Sequence, residues 1–74
     1  MKGVKGMVQV GGKTYRIAKL ARGQYEAIRI MDDVRVGTFQ SEPKLNVRPE
    51  GIDVGLMVEI ALAAVKGGKI TWLR

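Results

Sequence analysis

Three stretches of the chain place an arginine between two apolar residues: Tyr15-Arg16-Ile17, Ile28-Arg29-Ile30 and Val34-Arg35-Val36. Side chains alternate between the two faces of a strand, so in each triplet the apolar pair points one way and the arginine the other. Three such strands side by side make a sheet with an apolar back and an arginine-bearing front. The back calls for a helix to cover it, and the chain supplies an apolar segment at about residues 54–66. The front is a cationic surface, for which nucleic acid is the first candidate partner.

Seventy-four residues make one domain with a modest core. A chain of this size buries only about 60% of the surface its unfolded form exposes, which leaves little material for a deep catalytic cleft. Cysteine and histidine are both absent. That excludes a disulfide framework and the common zinc sets, and no cofactor or metal is expected. No apolar run reaches the roughly 18 residues of a membrane span. Met1-Lys2-Gly3-Val4-Lys5-Gly6 lacks the apolar stretch of a secretory signal, so a cytoplasmic protein is expected. The net charge of +6 is unevenly placed: residues 1–24 hold six bases and no acid, whereas residues 25–53 hold four bases and six acids. The first third is a concentrated positive field, suited to polyanions.

Local signals place the elements. Val8-Gln9-Val10 alternates and meets Gly11-Gly12, a two-residue hairpin signal because primed turns need positive φ. A second strand runs from about Thr14 to Leu20, and Ala21-Arg22-Gly23-Gln24 is a turn. A third runs from Tyr25 to Met31 and ends at Asp32-Asp33, which favours a tight turn. Val34 to Phe39 is the fourth. Its phase slips, since Val34 and Val36 share a face that Phe39 does not, and a bulge at Gly37 would return Phe39 to the core. Pro43 and Pro49 limit Lys44-Leu45-Asn46-Val47-Arg48 to a short edge strand or an extended connection.

Asp53 is placed as a helix N-cap, with Ile52 and Met57 as its hydrophobic staple. The helix is expected from Val54 to about Lys66, stopped by Gly67-Gly68, with an extended tail over residues 69–74. This helix is apolar around most of its circumference, more than one small sheet covers. Either Ile70, Trp72 and Leu73 fold back over it, or a second chain shares it as a homodimer through the C-terminal helix.

No catalytic constellation is visible. Gly12-Lys13-Thr14 resembles the end of a phosphate-binding loop, but that motif needs a further glycine where Met7 stands, so it reads as a hairpin turn. Asp32-Asp33 has no histidine or second acid cluster near it in sequence and reads as a turn. Glu50 and Asp53 suit the start of a helix. The arginine triplets remain. Solvated charge on the outer face of any amphipathic sheet is their simplest explanation. Their uniformity favours a role, because arginine presents a planar fork suited to phosphate and to guanine O6 and N7. Over the second strand the face is ambiguous: Arg16 shares one with Leu20, and Ile17 shares the other with Lys19.

The chain resembles the APETALA-type (ethylene-response-factor) DNA-binding domain, which also occurs in integrases and endonucleases. The resemblance covers residues 15–68. It rests on Tyr15-Arg16 with Lys19 and Arg22, on Gly23-Gln24-Tyr25-Glu26-Ala27-Ile28-Arg29, on Val34-Arg35-Val36-Gly37-Thr38-Phe39, and on Ala61-Leu62-Ala63-Ala64 with Gly67. The chain differs from the family between Pro43 and Gly51 and lacks a tryptophan near Arg35. The resemblance implies a three-stranded sheet laid in the DNA major groove with a helix packed behind. It implies Arg16, Lys19, Arg22, Arg29 and Arg35 as the DNA-facing set.

The fold expected is α+β, a single domain over residues 1–74. An antiparallel sheet of three or four strands at about 8–47 packs on one C-terminal helix. The leading function is non-enzymatic binding of double-stranded DNA. The alternative is a dimeric protein-interaction module whose charge serves solubility. Binding of single strands ranks lower, because that mode stacks bases on exposed aromatics and few are available here.

Overall fold

A computed structural model describes residues 5–66 and 69–70 of the chain. Five strands form one antiparallel sheet in sequence order: β1 (Lys5–Val10), β2 (Lys13–Ala21), β3 (Gln24–Arg29), β4 (Val34–Gln40) and β5 (Asn46–Pro49). The helix α1 (Val54–Ala64) follows. A two-residue hairpin, β6 (Val65–Lys66) with β7 (Lys69–Ile70), ends the described part. The class is α+β, with five strands rather than three or four.

The turns are where their chemistry puts them. Gly11 and Gly12 join β1 to β2 with φ of 61° and 78°, both in the region that only glycine enters freely. Asp33, in the β3–β4 turn, takes a left-handed φ of 58° and donates its N–H to the Arg29 carbonyl at 2.8 Å. β5 is the edge expected from its prolines. Pro49 is its last residue, where a missing N–H costs least.

The phase slip in β4 is resolved by a bulge. Ala27 faces Gly37, but the next residue of β3, Ile28, faces Arg35, so Val36 is the extra residue. Its carbonyl accepts from the Glu50 N–H at 2.8 Å. Val36 and Phe39 are then both buried, as the core requires. Gly37 sits beneath the helix with no room for a side chain: an added Cβ would lie 2.5 Å from Met57 Sδ and 2.6 Å from the Arg48 carbonyl oxygen.

Asp53 caps the helix, its Oδ1 accepting from the Leu56 N–H at 2.7 Å. Met57, Ile60, Ala61 and Ala64 bury one stripe of α1 against Val8, Tyr15, Ile17, Tyr25, Ala27, Val36 and Phe39. The small residues on both sides let backbone approach backbone. Tyr25 and Phe39 are direct cross-strand partners and stack with centroids 5.4 Å apart. Fully burying a side chain such as Met57 or Ile60 contributes about 1.5–3 kcal/mol. The helix touches both edge strands, β1 and β5, so the sheet wraps around it.

The helix stops at Ala64, two residues before the expected Lys66. Val65 closes it by donating its N–H to Ala61 and turns directly into β6. Gly67 and Gly68, the expected stop, and Trp72 and Leu73 of the expected tail lie outside the described residues. No described helix is long and apolar enough to cross a membrane.

Candidate nucleic-acid interface

Residues directly opposite one another in an antiparallel pair share a face, so the register assigns every side chain of the sheet. Tyr15, Ile17, Tyr25, Ala27 and Phe39 face the helix. The other face has no element packed on it among the described residues. Across it runs one row of Met7, Arg16, Ile28 and Arg35. The next row holds Ala18, Glu26, Thr38 and Arg48, and a third holds Gln24, Gln40 and Asn46.

The five expected contact residues do not share this face. Arg16 and Arg35 lie on it. Arg29 lies on the helix side: it is the direct partner of Tyr15, which is 1% exposed. Lys19 is also on the helix side, as the partner of buried Tyr25. Arg22 occupies the β2–β3 turn. The ambiguity over β2 is therefore settled in favour of Tyr15 and Ile17 facing inward and Arg16 outward. For β3 the triplet inverts, because Tyr25 and Ala27 fix its phase and Arg29 shares their parity. Ile28 is placed on the open face, and it is still buried. Its two cross-strand neighbours there are Arg16 and Arg35, and long arginine stems cover apolar surface.

Each triplet arginine has a carboxylate. Arg29 makes a two-pronged pair with Asp32, at 2.9 and 2.8 Å. That hydrogen bond raises the Arg29 pKa and holds the Asp32 carboxyl below its ordinary value. Arg35 makes a similar fork to Glu50 at 3.1 and 3.0 Å and approaches Glu26 at 3.5 Å. Its pKa is raised, chiefly by the bond to Glu50. Arg16 reaches Asp33 at 3.3 Å. The Asp32-Asp33 turn thus anchors two arginines from opposite faces of the sheet. Among the described residues, no ion pair engages Lys13, Lys19, Arg22, Lys44 or Arg48.

Arg48 is the open-face cation that the triplet pattern misses. It follows Val47 in an alternating stretch, and its phase is fixed only by pairing with Thr38 beyond the bulge. Among the described residues no group of three or more acidic side chains is placed to hold a metal ion. Comparison with protein-family models, curated proteins and solved structures gives no match to this chain.

Proposed function

We propose that the chain is a non-enzymatic, cytoplasmic protein that binds double-stranded DNA with the open face of its sheet. The observation that carries this reading is the division of faces: the helix takes one, and the other presents Arg16, Arg35 and Arg48 with a single strand carboxylate, Glu26, among otherwise uncharged side chains. Adjacent strands lie about 4.8 Å apart, so three of them span about 10 Å, within a major groove about 12 Å wide. The outer strands and the turns carrying Arg22 and Lys44 then lie beside the phosphates. The resemblance to the APETALA-type domain implies the same use of the sheet, with Arg16 and Arg35 of its contact set on the open face and Lys19 and Arg29 on the helix side. The carboxylates on Arg16 and Arg35 set a cost, since each must be displaced or shared when a phosphate arrives.

A salt titration of duplex binding tests the reading. With Arg16, Arg22, Arg35, Lys44 and Arg48 at phosphates, log K is expected to fall against log salt with a slope of about −4 to −5. Binding that is absent at low salt, or indifferent to salt, refutes it.

A second reading rests on the helix. Val54 and Leu62 are exposed, and with half-buried Val58 they form an apolar line at i, i+4, i+8 on a helix whose one charged residue is Glu59. A second copy of the chain matches such a line in a symmetric pair, and a dimer would bring two basic faces to one duplex. Sedimentation is then expected to give twice the chain mass, and Leu62→Glu a folded monomer, because Leu62 is half exposed. A native monomer at high micromolar concentration removes the dimer.

A further inference from the structure

The open face carries a feature distinct from its arginines. Gln24 on β3 faces Gln40 on β4, which faces Asn46 on β5. Three carboxamides from three adjacent strands therefore stand in one line across the sheet. Beside them, Leu20 and Arg48 help line a shallow groove of about 220 Å³. Leu20 is the bulged residue between the Lys19–Tyr25 and Ala21–Gln24 pairs, and it is 50% exposed.

The two halves of the face differ in what they have free. Arg16 and Arg35 are held by carboxylates. Among the described residues, the side chains of Gln24, Gln40, Asn46 and Arg48 make no hydrogen bond, so their donors and acceptors are open to a ligand. A carboxamide offers one acceptor and two donors side by side. That is the complement of the adenine N6 and N7 edge, and an exposed apolar side chain suits the thymine methyl. The line is about 10 Å long at strand spacing, so with the sheet laid in the groove it spans most of the groove floor, about 12 Å wide, where base edges are exposed.

We propose that Gln24, Gln40 and Asn46, with Leu20, read A·T base pairs in the major groove, while the arginines position the protein on phosphates. The inference rests on the DNA-binding reading and adds to it the element that carries sequence preference. A carboxamide line is neutral, so it adds little to non-specific affinity. It discriminates by matching one base edge and leaving others unpaired.

Fluorescence anisotropy with the full chain tests this with three duplexes: A·T-rich, the same sequence with 7-deazaadenine, and G·C-rich. The native chain is expected to bind the A·T duplex at least about tenfold more tightly than the G·C duplex. The 7-deaza duplex, which lacks the N7 acceptor, is expected to lose most of that margin. Gln24→Ala and Asn46→Ala, both at exposed positions, are expected to erase the preference and keep the salt slope. Salt-dependent binding with no A·T preference overturns the inference and leaves the DNA reading standing. So does a preference that survives 7-deazaadenine, whatever the variants do. Absence of salt-dependent binding to all three duplexes overturns both.

Discussion

Gly37→Ala is expected to lower the unfolding free energy by about 2–3 kcal/mol, near the upper end of what overpacking costs. The methyl group would meet three atoms at once: Met57 Sδ at 2.5 Å, the Arg48 carbonyl oxygen at 2.6 Å and Pro49 Cα at 3.1 Å. A flexible thioether can swing aside. The other two atoms belong to the backbone of β5, so relief means moving the strand or lifting the helix. For a domain of this size the loss corresponds to a fall in melting temperature of roughly 10–20 °C. Thermal and urea unfolding measure it, and a variant within about 0.5 kcal/mol of the native chain contradicts the packing described. The consequence reaches function, because β5 carries Asn46 and Arg48. A displaced β5 moves two of the open-face side chains even where the chain still folds.

Gly37 also shows what kind of information was readable in the sequence. The bulge was legible because Val34, Val36 and Phe39 cannot all face one way on a regular strand, and a glycine stood between them. The hairpin at Gly11-Gly12, the Asp53 cap and the proline-limited edge strand were legible for the same reason: each is written in neighbouring residues. The face of β3 was not. Ile28 and Ile30 flank Arg29 and argue for one phase, whereas Tyr25 and Ala27 argue for the other. Only pairing with Tyr15 and Ile17 on β2 decides between them, and that is tertiary information. The carboxamide line is further from local pattern still. Its members come from three strands and align only after the β4 bulge has shifted the register by one residue. The helix end was misjudged because Val65 and Lys66 continue an apolar helical pattern, while the chain uses them to begin a hairpin. The partners of the arginines were hidden as well. Asp32 and Asp33 read as turn residues, which they are, and the turn signal does not say that each also holds a guanidinium, Arg29 three residues away for one and Arg16 on β2 for the other.

The division of faces makes a sharp expectation for charge removal. Replacing Arg16, Arg35 and Arg48 together with alanine is expected to reduce the salt slope by about 3, since each phosphate-contacting cation adds about 1. If their contributions vanish near 1 M salt, affinity at 50 mM falls by nearly four orders of magnitude, about 3 times the roughly 1.3 log units between the two salt concentrations. Losing Arg35 also strips Glu26 and Glu50 of their partner and leaves two carboxylates facing the phosphates, which adds repulsion. Arg29→Ala removes the same charge from the helix side of the sheet. It is expected to leave the slope nearly unchanged and, because exposed ion pairs contribute little, to shift the melting temperature only slightly. The single and triple variants are compared by salt titration beside their melting temperatures, so that lost binding is not mistaken for lost fold. An Arg29 variant that weakens binding as much as an open-face arginine would place DNA on the wrong side of the sheet. Equal, small effects at all four positions would mean that no one face is used, and that the positive charge of the chain acts without a defined surface.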